Sequence, residues 1–300
     1  MISQEARDAM ARLRAGSSGP KPSLAEARAG WIAAGAQHVL PGGSVVTQAV
    51  VGGVTGEWIE IAGAAPRRVI LLLHGGGYNS GSPVTHRRFG AYLALFGGAR
   101  VFTPEYRLAP EHPFPAAPAD GLAVYDGLLG QGTVPADIVF VGDSAGGGLT
   151  LTMLLMLRDR GGPMPGGAVV LSPMSDMTVS SDSYERNRAS DPHITKEGIH
   201  EAGVWYAGGR DPRDPLLSHV FADLRGLPPL LIHAGGLEVM LDEAATIAEH
   251  AQMAGVEVTY KMWPGLWHVH HLDVSEVPEA TEAVREIGDF ISGLDRKAAA

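Results

Sequence analysis

The stretch Val139-Phe140-Val141-Gly142-Asp143-Ser144-Ala145-Gly146-Gly147-Gly148 limits most tightly what this chain can fold into. An apolar run from Asp137 to Val141 passes through G-x-S-x-G into small and aliphatic residues, Leu149 to Leu157. The pattern predicts a strand, a sharp turn and a helix. Gly142 and Gly146 fit a reversal so tight that a Cβ would strike neighbouring backbone, with the residue at the apex held at strained dihedrals. Ser144 is therefore the candidate nucleophile. The helix behind it points free N–H groups at any oxyanion that forms beside the serine.

A second motif narrows the reading. Val69-Ile70-Leu71-Leu72-Leu73 is continuously apolar, as a parallel strand covered on both faces must be, and it runs into His74-Gly75-Gly76-Gly77. Three successive glycines offer bare backbone N–H groups that can approach an oxyanion closely. The donors assigned are Gly76, Gly77 and Ala145. Either motif alone also fits a glycine-rich turn; the two in this order point to nucleophilic chemistry.

In folds built around such an elbow the order along the chain is serine, acid, histidine. Pro229 to Ala234 reads as a buried strand followed by Gly235-Gly236-Leu237-Glu238. Val256 to Met262 reads as the next, leading through Trp263-Pro264-Gly265-Leu266-Trp267 to His268. Glu238 is the expected acid and His268 the expected base, on the same rim of the sheet as Ser144. Asp242 is the rival acid, although its place at a helix start already accounts for a negative charge. His270, His271 and Asp273 crowd the base and suggest a metal cluster as a rival reading. No further ligand cluster is in view, so one histidine reads as the base and the others as loop or pocket wall. His233, inside a strand, reads as structural.

With these residues placed, the chain resembles the hormone-sensitive-lipase family (family IV) of bacterial serine esterases, in the α/β-hydrolase superfamily. The resemblance rests on the glycine run at 74–77, the segment Tyr106-Arg107-Leu108-Ala109-Pro110-Glu111-His112-Pro113-Phe114-Pro115-Ala116-Ala117, the elbow, and a histidine near the end. It spans about residues 40 to 295. It implies an α/β-hydrolase fold: a mostly parallel central sheet with helices on both faces and a small helical cap. It also implies carboxylic ester hydrolysis by Ser144, His268 and Glu238, with no metal or organic cofactor and a structural role for the 106–117 run. The family most often carries Asp where Glu238 stands; Glu can orient an imidazole equally well. Short-chain acyl esters, lactones and acetylated compounds all fit as substrates. A non-catalytic small-molecule receptor on the same fold is the alternative, weakened because all three residues are present, and a metallohydrolase is the third reading.

Composition agrees with a single α/β-hydrolase domain over 1–300. Forty glycines and 21 prolines suit many tight strand-to-helix connections better than a helical bundle. A net charge of −10 argues against a nucleic-acid partner, and without cysteine neither thiol catalysis nor disulfides are available. No apolar leader and no run of 18 apolar residues occurs, so the expectation is a cytoplasmic enzyme with a small-molecule ester partner and no membrane insertion; a homodimer is left open. Residues 1–38 read as one or two helices broken at Gly16-Ser17-Ser18-Gly19-Pro20, with Ser23 and Glu26 at capping-box spacing. Strands are expected near 45–51, 57–62, 69–73, 100–103, 137–141, 168–172, 229–234 and 256–262. Residues 174–220 form a long polar insertion with a helix from Thr195 to Tyr206, the length expected of a lid or binding loop. This insertion and residues 1–38 are the expected cap. Tyr78, Trp205 and Tyr206, with Trp31, are the aromatic candidates for a substrate pocket; plain packing of cap on core explains them equally.

Overall fold

The computed structural model describes residues 2–16 and 22–298, so most of the expected break at 16–20 lies outside the described residues. Eight strands form one sheet: β1 (Ser44–Val51), β2 (Val54–Ile61), β3 (Val69–Leu73), β4 (Arg100–Pro104), β5 (Ile138–Asp143), β6 (Gly167–Leu171), β7 (Leu230–Gly235) and β8 (Val258–Trp263). Their order is β1-β2-β4-β3-β5-β6-β7-β8. β1 and β2 pair antiparallel, as do β2 and β4, and the other pairs are parallel. Burial follows sequence pattern. β3, β5, β6 and β7 are buried at every position, whereas the outer strands β1 and β8 alternate or stay half-open.

The helices are α1 (Gln4–Gly16), α2 (Leu24–Gly35), α3 (Pro83–Gly97), α4 (Ala116–Gly130), α5 (Ala145–Asp159), the single turn α6 (Ser183–Arg186), α7 (Lys196–Ala207), α8 (Leu241–Met253) and α9 (Pro278–Ala298). Alternate residues of the central strands feed two cores. Leu71, Leu73, Phe140 and Ile232 pack with Tyr125 of α4, Met153 of α5 and Ile247 of α8. On the other face Ile70, Leu72, Val141 and Leu231 meet Phe89 and Leu93 of α3 and Ile287 and Ile291 of α9. The capping box at Ser23 is present in full: its hydroxyl accepts from Glu26 N–H, and Glu26 returns to the Ser23 N–H at 2.9 Å.

Register positions the functional loops. Leu73 is opposite Gly142, Asp143 opposite Leu171, Leu171 opposite His233, and Gly235 opposite Trp263. The carboxyl ends of β3, β5, β6, β7 and β8 therefore finish along one rim, where an open parallel sheet forms its ligand crevice. Residues 174–220 connect β6 to β7 and are less polar in their packing than their sequence suggests, with Met174, Met177, Tyr184, Ile199 and Tyr206 all buried.

Candidate active site

The turn after β5 has the geometry its glycines require. Ser144 sits at φ 53°, ψ −119°, strained for a residue with a Cβ. A Cβ on Gly142 would lie 2.1 Å from Gly146 O, and one on Gly146 would lie 1.9 Å from Leu73 O, so only glycine permits this approach. The strained turn is held by the Ser144 N–H donating to Leu171 O at 2.8 Å and by Ser144 O accepting from Gly148 and Met174 N–H at 3.0 and 2.9 Å.

Beside it, the 74–77 run divides its N–H groups. Gly75 N–H donates to Asp143 Oδ1 at 3.0 Å. Gly76 and Gly77 adopt φ 118° and 61°, and among the described residues the N–H groups of Gly76, Gly77 and Ala145 have no acceptor. The 106–117 segment braces this loop from beneath. Tyr106 stacks on His74 with centroids 4.1 Å apart and donates its hydroxyl to His74 O at 2.6 Å, while Ala109 N–H donates to Tyr78 O at 2.9 Å.

His268 Nδ1 lies 2.7 Å from Glu238 Oε2, and Glu238 Oε1 accepts the Gly235 N–H at 3.0 Å. Both side chains are buried. Burial disfavours the His268 cation, yet the hydrogen bond and charge of Glu238, aided by Asp191 and Asp143, outweigh it and raise the pKa above the ordinary imidazole value. Ser144 and His268 both face one cavity of about 580 Å³, together with Gly76 and Gly77. Its remaining wall comes largely from α2 through Trp31, from α7 through Ile199 and Ala202, and from Trp267, His193 and Ile194.

Several expectations need correction. Tyr78 and Tyr206 do not line the cavity; they are fully buried and stack on each other 3.5 Å apart. Trp205, half-buried against the core, is also absent from the wall; of the aromatic candidates Trp31 does stand there, joined by Trp267, which is not among them. Of the two readings for His270 and His271, loop or pocket wall, the structure fits the first: both lie in the short turn His270–Asp273 and neither reaches the cavity. Their ring centroids lie 4.1 Å apart inside the protein, and His271 Nε2 lies 3.2 Å from His233 Nδ1. Among the described residues no group of three His, Asp or Glu is arranged to hold a metal ion. Asp242 is spent on the Ser183 N–H and on Arg186, 2.9 and 2.5 Å away.

Sequence reading missed the supports of the site. Asp143 fixes Gly75 and lies 3.1 Å from His86 Nε2, a partner on α3 that no local spacing reveals. Val269, next to His268, is β-branched at φ 52° and is held by its N–H donating to Ser172 Oγ at 3.3 Å. Asp191 and His193, in the 174–220 insertion, carry no motif.

A family model for the alpha/beta hydrolase fold matches residues 70–272. An acetyl-hydrolase from Streptomyces hygroscopicus is 40% identical over 252 residues, covering 84% of this chain and 83% of that protein. An esterase from Acinetobacter venetianus is 37% identical over 245 residues, 81% of this chain and 80% of that one. A crystal structure of an esterase from the bacterial hormone-sensitive lipase family superposes with a TM-score of 0.94 at 38% identity, covering 97% of this chain and 98% of the other. The chain belongs to the hormone-sensitive-lipase family of α/β-hydrolases. It is a carboxylic ester hydrolase, and its eight-stranded sheet is the sheet of that fold. No helix among the described residues of this family member is long and apolar enough to cross a membrane.

Proposed function

We propose that the chain hydrolyses short-chain acyl esters, lactones or acetylated small molecules by acyl transfer to Ser144, with His268 as base and Glu238 as its orienting acid. The observation that carries this reading is the strained Ser144 facing the same cavity as His268, whose Nδ1 is tied to Glu238. His268 Nε2 takes the Ser144 proton as Oγ attacks the ester carbonyl. Gly76, Gly77 and Ala145 donate to the tetrahedral oxyanion, where loss of one donor typically lowers turnover by about 100-fold or more. His268 then passes its proton to the departing alcohol, leaving an acyl-enzyme. Water, deprotonated by the same imidazole, releases the acid and restores Ser144. Residues 1–38 and 174–220 act in this reading as a cap on a single domain. A cavity of about 580 Å³ walled by Trp31, Ile199 and Trp267 supports small substrates, as does the acetyl-hydrolase among the relatives.

The test is a series of p-nitrophenyl esters from acetate to palmitate, assayed on the parent and on Ser144→Ala. The parent is expected to favour the short acyl chains and to react with a fluorophosphonate probe. Ser144→Ala, with circular dichroism unchanged, is expected to lose both hydrolysis and labelling. Turnover retained in the folded variant overturns the assignment of the nucleophile.

A further inference from the structure

Asp191 lies in the β6–β7 insertion, 47 residues before Glu238 in the chain, yet its carboxylate is fully buried against the loop that carries Glu238. Asp191 Oδ2 accepts the Val239 N–H at 3.0 Å, one residue beyond Glu238. Asp191 Oδ1 accepts the N–H groups of His193 and Ile194 at 3.1 and 2.9 Å, and both residues stand in the cavity wall. No lysine or arginine among the described residues pairs with this carboxylate; backbone N–H groups answer it. Two neighbours extend the hold on the same loop. Asn187 Nδ2 donates to Glu238 O at 2.8 Å, and Ser190 Oγ lies 3.2 Å from Leu237 O. Leu237, Glu238 and Val239 are thus each gripped once by the segment 187–191.

We infer that Asp191 is a positioning residue for the hydrolytic reaction, tying the loop of the triad acid to the cap wall and setting its carboxylate 4.0 Å from Nδ1 of His193, whose ring lies 6.1 Å from that of the base. The inference rests on the triad reading above. Its physical content is twofold. A carboxylate that holds Val239 on one oxygen and His193 and Ile194 on the other sets the distance between Glu238 and the wall of the substrate cavity, and a misplacement of about 1 Å in such geometry can cost about 100-fold in turnover. Its charge also favours the imidazolium that forms during attack. The titratable groups facing His268 are Glu238 on the β7 loop, Asp191 and His193 from the insertion, Asp143 from the elbow, and His270 and His271 from its own loop. Only the three carboxylates favour the cation, and Asp191 alone of them touches neither the base nor the oxyanion loop.

Asp191→Asn keeps size but removes the charge and turns one acceptor into a donor facing an N–H group. The plateau of kcat on p-nitrophenyl acetate is expected to fall roughly tenfold. The acidic limb of kcat/KM, which reports the free base, is expected to move to lower pH by roughly half a unit, because the imidazolium has lost a neighbouring charge. Asn187→Ala loosens the same loop without changing charge, so its plateau falls while its limb stays. If Asp191→Asn does not fold, Asp191→Ser makes the same comparison. An unmoved acidic limb in the Asp191 variants, whatever happens to thermal stability, reduces Asp191 to a structural brace and overturns the inference. Glu238→Gln is assayed alongside: if it retains parent turnover, the triad reading itself has failed, a result the Asp191 variants cannot imitate.

Discussion

Glu238 uses both of its oxygens, and this decides what its replacement does. Oε1 receives the Gly235 N–H and Oε2 receives the His268 ring. In Glu238→Gln the amide oxygen is held toward Gly235, since an NH2 there would face another donor, and the NH2 is left toward His268 Nδ1. The ring must then accept at Nδ1 and carry its proton at Nε2, the wrong tautomer for taking a proton from Ser144. Turnover on a short ester is expected to fall by roughly three to four orders of magnitude, with folding preserved by circular dichroism. Asp242→Asn is expected to leave turnover within a few-fold and to lower stability by about 1 kcal/mol or less, since its place is the first turn of α8 and a half-exposed pair with Arg186. A severe loss in Asp242→Asn beside a normal Glu238→Gln moves the acid to 242. The neighbouring histidines offer a parallel contrast. His268→Ala is expected to lose activity by orders of magnitude, whereas His270→Ala and His271→Ala, removed from the cavity, show their effect in thermal stability.

At the scale of elements, the sequence announces what depends on neighbours along the chain. All eight strands and the helices at 24–35 and 196–207 are legible because periodicity, glycine turns and the Ser23–Glu26 box act over a few residues. The placement of the candidates Ser144, Glu238 and His268 along one rim is legible for the same reason, each following the carboxyl end of a strand. Contacts between distant segments are not. Nothing local foretells that Arg28 of α2 donates to Asn79 O and Ala109 O at 2.6 and 2.9 Å and pairs with Glu111, pressing Trp31 toward the glycine run. Nor does an aromatic residue announce whether it faces a cavity or another ring, which is why the sequence offers Tyr78 and Tyr206 as pocket and as packing alike, and only the structure has them packed on each other. The glycine run carries a prediction at this scale. A Cβ on Gly76 would stand 2.4 Å from Ser80 O and 2.8 Å from the Trp31 ring, at φ 118°. Gly76→Ala must shift the loop and misdirect its N–H groups, so kcat is expected to fall by about 100-fold or more, with KM changed far less and the fluorophosphonate still able to react slowly. A near-parent kcat in a folded Gly76→Ala excludes this loop as the oxyanion site.

For the whole molecule, the distribution of buried imidazoles governs response to acid. His74, His219, His233 and His270 are fully buried and burial pushes each down to about 3, while His193 is pushed to about 4 and His271 well below the ordinary value. These six stay neutral in the folded chain while the unfolded chain protonates them below about pH 6.5. A depressed folded pKa contributes stability that is complete above the unfolded value and is lost as pH falls toward the folded one, at about 1.4 kcal/mol per pH unit for each group. Two buried carboxyls act in the opposite sense. Burial raises Glu243 to about 8, despite its bonds from Tyr184, Ser175 and Asp176, and raises Asp273 to about 6, so the folded chain already holds protons that the unfolded chain takes up only in stronger acid. The histidines outnumber them. Unfolding near pH 5 is therefore expected to take up roughly four protons net, and the thermal midpoint should drop steeply between pH 6 and 4. Calorimetric unfolding in buffers of differing ionisation enthalpy counts those protons directly. An uptake near zero at pH 5 would mean that the imidazoles are charged in the folded state, and the buried cluster of His233, His270 and His271 could not be packed as described.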